Sequence, residues 1–156
     1  MRKPLKIIGI VFVVFLLLGI VRGVFVSLMR GVSMAPTYND GDVLLINKFS
    51  NQFSRGDVVV FRRPATERNY GHMIKRIVGL PSEKIEIRDG NVFVNGAELR
   101  EDYHQGETSP NLTVALADDQ YFILGDNRPS SADSRSFGPI TRSNITAKVS
   151  KVLYRR

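Results

Sequence analysis

The side chains able to do covalent chemistry are few in this sequence. There is no cysteine and there are two histidines, His72 and His104. That composition excludes a disulfide framework, a thiol nucleophile and a cysteine-rich zinc site. A Ser-His-Asp triad has no supporting motif around either histidine. A serine can instead take a lysine as its base, if burial lowers the amine pKa from its ordinary ~10.4. Two segments offer that pair. In GVSMAPT (31–37) a serine, Ser33, follows a small residue and precedes a proline-limited turn. In HMIKRIVG (72–79) strand alternation puts Met73, Lys75 and Ile77 on one face, so Lys75 has apolar neighbours. Each residue has a plainer reading: a serine before a turn is ordinarily a cap, and a lysine on a strand ordinarily snorkels from the sheet edge. A third segment, GDNRPSSADSRSFGPI (125–140), is dense in small polar residues and opposite charges. It reads as a solvated loop or as a salt-bridged brace, and a buried base needs such a brace.

The elements that must position these residues are short strands. Val43, Leu44, Leu45 and Ile46 form an apolar run, as do Val58, Val59, Val60 and Phe61. Residues 84–87 alternate, and Asp89-Gly90 is a hairpin signal before 91–94. Asn95-Gly96 is a second turn, 121–124 is apolar, and 146–154 alternates again. Residues 100–111 read as a loop. No long amphipathic helix follows residue 30. The fold class is therefore mainly β, a sandwich or closed barrel of short strands.

The formal charge of +7 is unevenly placed. Residues 1–30 carry five basic residues and no acid, which leaves 17 basic and 15 acidic residues for the remainder. The excess surrounds an apolar segment and not the folded domain. This favours a membrane surface and argues against a nucleic-acid partner. Residues 7–21 are fifteen apolar residues spanning ~22 Å as a helix. Residues up to 29 can extend the segment toward the roughly 30 Å of a bilayer core, with Arg22 snorkelling. The rival is a cleavable signal peptide, but no convincing small-x-small site follows. The organisation expected is a basic cytoplasmic tail (1–6), a single-pass anchor (7–29) and a catalytic domain outside the cytoplasm (30–156), with a small β insert at 82–120. The orientation follows from the basic residues before the anchor.

Taken in order after the anchor, GVSMAPT (31–37), RGDVVVFRRP (55–64), HMIKRIVGLP (72–81) and GDNRPSSADSRSFGPI (125–140) resemble the bacterial type I signal peptidases. The resemblance spans nearly the whole chain, and the motifs together are highly specific. It implies a β-rich catalytic core with a smaller variable β region and a membrane anchor. It implies Ser33 as nucleophile, Lys75 as general base and Ser131 as the hydroxyl that orients the amine. The Ser33 backbone N–H would bind the oxyanion, and Asp126, Arg128, Asp133 and Arg135 would brace the site by ion pairing. The implied substrates are signal peptides of exported preproteins, with small residues at positions −3 and −1. Met29, Met34 and Ile74 are the expected walls of the pockets that read them. Further partners implied are the lipid bilayer and the secretion translocon. No metal or organic cofactor is expected.

Two positions depart from the family pattern. Gly31 stands where some members place a serine that helps bind the oxyanion. Ser82-Glu83 replaces the usual Gly-Asp after Gly-Leu-Pro, which puts the geometry of that turn in question. Specialised processing peptidases of the same clan and a non-enzymatic anchored β domain are the alternative readings.

Overall fold

In the computed structural model, residues 23–63 and 71–156 are described. Eleven strands appear among them: β1 (Val24–Leu28), β2 (Val43–Asn47), β3 (Val58–Arg62), β4 (His72–Gly79), β5 (Lys84–Arg88), β6 (Asn91–Val94), β7 (Ala97–Glu98), β8 (Leu112–Ala115), β9 (Gln120–Leu124), β10 (Ile140–Thr141) and β11 (Ile145–Tyr154). One short helix, α1 (Ser134–Phe137), follows β9. A seven-stranded sheet runs in the order β1-β2-β11-β3-β4-β9-β10, and a four-stranded sheet in the order β7-β6-β5-β8. The mainly β expectation holds. The large sheet is open, ending at β1 and β10.

The apolar runs became strands for the expected reason: β-branched side chains pack well on a pleated, buried surface. Alternation then sorts them. Val58 and Val60 join Met29, Met34, Leu44 and Ile46 in one core. Val59 and Phe61 face the other way, against Ile77, Ile123, Ile140 and Ile145. A third core of Val78, Ile85, Ile87, Val92, Phe122 and Leu124 is shared by the end of β4, β9 and the small sheet. The hairpin at Asp89-Gly90 takes positive φ at both residues, 50° and 80°, as a two-residue turn with that sequence should.

The segment read as the anchor lies outside the described residues up to residue 22. Its last residues differ from the expectation. Val24–Leu28 is not membrane helix but strand β1, paired along its length with β2 from Val24–Asn47 to Leu28–Val43. Its composition, VFVSL, is that of a strand, and its four β-branched or apolar residues gain from pairing at an open sheet edge. Among the described residues no helix is long and apolar enough to cross a membrane. Strands β5 to β8, within residues 82–120, make up the four-stranded sheet. The loop read at 100–111 carries no strand and packs against the turn after β9.

Candidate active site

Ser33 sits in the turn that follows β1. Met34, fully buried in the core, pins that turn from below. The Ala35 N–H donates to the Val32 carbonyl at 3.1 Å and the Tyr38 N–H to the Met34 carbonyl at 2.9 Å. From the far side Asn127 clamps it: its N–H donates to the Ser33 carbonyl and its Nδ2 to the Val32 carbonyl, both at 3.1 Å. Residues 94 and more positions apart are thereby held in register. Gly31 has φ +84°, a conformation that favours glycine. Its N–H donates to Asp40 Oδ1 at 2.7 Å. The Ser33 N–H makes no hydrogen bond among the described residues.

Lys75 is the fourth residue of β4, opposite Val59 of β3. It is 2% exposed. Its Nζ lies 2.6 Å from Ser33 Oγ and donates at 2.9 Å to the Ile74 carbonyl. Loss of hydration pushes its pKa down from 10.5 to about 8, against the opposing pull of the Asp133 and Asp126 carboxylates. An amine whose pKa is lowered toward neutrality, within hydrogen-bonding reach of an alcohol, has the arrangement of a base and nucleophile pair.

The pair opens onto a cleft of about 470 Å³, lined by Phe25, Leu28 and Met29 on and after β1, by Met73 and Ile74 on β4, and by Val60 and Thr146 between them. Most of the lining is apolar, and Arg30, Lys48 and His72 also reach it. Of the three walls expected from the sequence, Met29 and Ile74 line this cleft. Met34 does not, because it points into the core under the turn. Phe25, Thr146 and Lys48 were not singled out for the cleft by sequence; strands distant in sequence bring them there, and no local signal marks them.

The four residues expected to brace the site all form ion pairs, two of them with partners outside that set. Asp133 and Arg135 do pair, through Nε and Nη2 at 2.8 Å each. Asp133 also accepts from the Gly125 N–H at 3.0 Å and, as the cap of α1, from the Arg135 N–H at 3.2 Å. Asp126 pairs instead with Arg76, the residue after the lysine, through Nε at 2.8 Å and Nη2 at 2.6 Å. Arg128 pairs with Glu101, at 2.6 Å, and both side chains are buried. The reason is strand geometry: Arg76 and Leu124 are partners across β4 and β9, so Asp126 emerges beside Arg76.

Ser131 also departs from its expected contact. Its Oγ is buried and has no hydrogen-bond partner, while the lysine amine donates to the carbonyl of its own neighbour. The hydroxyl is nevertheless close by. A Cβ placed on Gly125 would lie 2.1 Å from Ser131 Oγ and 2.5 Å from the Ser33 carbonyl oxygen. Gly125 is bare because Ser131 and Ser33 both press against it.

The family model for signal peptidase, peptidase S26, matches residues 4–154. Signal peptidase I V of Bacillus subtilis strain 168 is 34% identical over 96% of this chain and 98% of its own length. The probable signal peptidase I-2 of Synechocystis is 38% identical over 74% of this chain and 56% of its own. Among solved structures, the signal peptidase I of Enterococcus faecalis V583 is 30% identical, with a TM-score of 0.56, over 64% of this chain and 98% of that one.

Proposed function

The chain belongs to the peptidase S26 family of signal peptidases, and on that premise we propose that it cleaves signal peptides from exported preproteins with Ser33 as nucleophile and Lys75 as general base. The observation that carries the roles is the 2.6 Å separation of a buried lysine amine and a serine hydroxyl. Neutral Lys75 takes the Ser33 proton as Oγ attacks the scissile carbonyl. The tetrahedral oxyanion rests on the Ser33 N–H, which has no other acceptor among the described residues. The lysinium then protonates the leaving amine. Water, activated by the same amine, hydrolyses the ester.

Ser131 is the proposed orienting hydroxyl. A buried rotor without a partner, pressed against Gly125 beside Ser33, supports that role. Asp133 and Arg135 fix the main chain that carries it. With Gly31 in place of a serine, the oxyanion relies on backbone donors; losing one such donor costs about 10²–10³ in rate in other enzymes.

The substrate binds extended along the cleft, pairing with the free edge of β1. Met29 and Ile74 belong to the walls that admit only small residues at −3 and −1. Residues 1–22 anchor the enzyme in the cytoplasmic membrane with the catalytic domain outside, and the lipid bilayer and the translocon are its neighbours there. Val26, Leu28 and Val32, each about half exposed beside the cleft, support a lipid-facing rim.

The test is preprotein cleavage by the purified chain. Ser33→Ala and Lys75→Ala should each abolish processing while the far-ultraviolet spectrum and the melting transition stay cooperative. Substantial cleavage by either variant would refute the pair.

A further inference from the structure

The segment 99–111 joins β7 to β8, the two edge strands of the small sheet, and it does more than connect. Its Gln105 N–H donates to the Asp126 carbonyl at 2.9 Å, and the Arg128 N–H donates to the Gln105 carbonyl at 3.1 Å. It therefore lies as a strap along the turn after β9, the same turn that clamps Ser33 through Asn127. Gly106 is packed so closely on Pro129 that a Cβ there would come within 2.5 Å of the ring.

Two strap side chains reach further in. Glu101 Oε1 accepts from Arg128 Nη2 and from the Tyr103 hydroxyl, both at 2.6 Å. Arg128 also donates to the Gly125 carbonyl at 3.0 Å and to Thr108 of the strap. The Tyr103 ring lies under the Arg76 guanidinium, 4.1 Å from its centroid. Arg76 holds both oxygens of Asp126 and donates to the Gly56 carbonyl at 2.8 Å. The strap thus closes over two arginines that flank the catalytic pair, the partly buried Arg76 next to Lys75 in sequence and the buried Arg128 bonded to Gly125.

We propose that Tyr103 and Glu101 are positioning residues for the reaction: acting through Arg76 and Arg128, they keep Asp126 paired and Gly125 fixed, and so keep the neutral amine of Lys75 available beside Ser33. The physical reason lies with Asp126. Its carboxylate favours the charged form of Lys75, and Arg76 offsets that charge. A guanidinium resting on an aromatic face is held in place by the ring quadrupole. Burial and Glu101 push the phenol pKa up, so Tyr103 stays a neutral donor whose ring face is free for Arg76. The charged and titratable groups around this cluster are Glu101, Arg128 and His104 on the strap side, Tyr38 beside Arg76, and Asp133 facing Lys75 from the other side.

The inference rests on the Ser33–Lys75 reading, and its test separates the two. The full chain in detergent is assayed for kcat and KM across pH on a signal-peptide substrate, as the parent, Tyr103→Phe, Tyr103→Leu, Glu101→Gln and Ser33→Ala. Tyr103→Phe keeps the ring and should keep the acidic limb of the parent. Tyr103→Leu should move that limb up by about half a pH unit or more, lowering kcat near pH 7 about threefold or more. Its KM should stay within about twofold of the parent, and its kcat should recover above the shifted limb. A merely structural loss lowers kcat by one factor at every pH. Should the leucine variant not fold, Glu101→Gln keeps the shape and carries the test. Removal of a negative charge by itself lowers a lysine pKa, whereas loss of positioning raises it, so an upward limb shift in Glu101→Gln can come only from lost positioning. Limbs coincident with the parent, or shifted downward, overturn the proposal. Cleavage by Ser33→Ala overturns the reading beneath it instead.

Discussion

At Lys75 the proposed chemistry and the stability of this protein meet. The amine is nine-tenths or more withdrawn from water, and its pKa falls to about 8. Activity through a neutral base should therefore rise with pH across that value, with a pH–kcat profile as the check. The same shift costs stability. An unfolded lysine, with its pKa near 10.5, binds a proton more tightly than the folded one. The penalty is full below pH 8, fades between 8 and 10.5, and vanishes above. A shift of that size corresponds to about 3 kcal/mol. Lys75→Met should then be inactive yet more stable than the parent at pH 7, by about 1–3 kcal/mol once the lost hydrogen bonds are counted. Chemical denaturation at pH 7 and at pH 10 should show the gain shrinking; an equal gain at both would contradict the lowered pKa. Gly125 gives the complementary test of geometry. Its missing Cβ is what lets Ser131 and the Ser33 carbonyl approach. Gly125→Ala must push one of them away, and kcat should fall by about a hundredfold or more with the fold retained.

At the level of elements, the position of each functional residue follows from which strand or turn carries it. The apolar runs at β2, β3 and β9 and the Asp89-Gly90 hairpin were legible because composition and turn residues agree there. β1 was not, because an apolar strand next to an apolar anchor has no boundary in composition; only its pairing with β2 makes one. β8 and β10 were missed for a different reason. They are short, of four and two residues, too short for a strand pattern to stand out from the neighbouring loops. The Ser82-Glu83 turn shows how the family departure is accommodated. Ser82 adopts φ +65°, where a glycine is at ease. Glu83 accepts from the Leu80 N–H at 2.7 Å and takes both Arg55 donors, at 3.0 and 2.6 Å. The Ser82 hydroxyl recovers part of the strain by donating to Asp118 at 2.7 Å, in an exposed position. Ser82→Gly should raise stability by about 0.5–1 kcal/mol and leave activity unchanged, measured as the shift in denaturation midpoint.

Across the whole molecule, the charge distribution and the core divide the work. The basic excess lies before residue 31, on a segment proposed to anchor the enzyme, and the folded part is close to neutral. Confinement to a membrane raises the effective concentration of enzyme at membrane-inserted substrate. Deleting residues 1–22 should then lower processing of a preprotein in vesicles by about tenfold or more and leave hydrolysis of a soluble peptide within about threefold. Equal effects on the two substrates would count against an anchoring role. The three cores hold the sheets as one body. Ile85 is fully buried where the small sheet meets β4, and Gly79 is bare to admit it. Ile85→Ala should cost about 2–5 kcal/mol in a single cooperative transition.

The order of the motifs, the residue types able to react and the strand-rich character were set by sequence, because each depends on local composition or on neighbours within a few positions. The partners of the buried charges were not. Asp126 with Arg76, Arg128 with Glu101, and the cleft residues Phe25 and Thr146 beside Ile74 are meetings between strands far apart in the chain. Their choice depends on sheet order and register. Asp126 lies two positions from Arg128, but its side chain emerges where β9 runs beside β4, and there the nearest guanidinium belongs to Arg76.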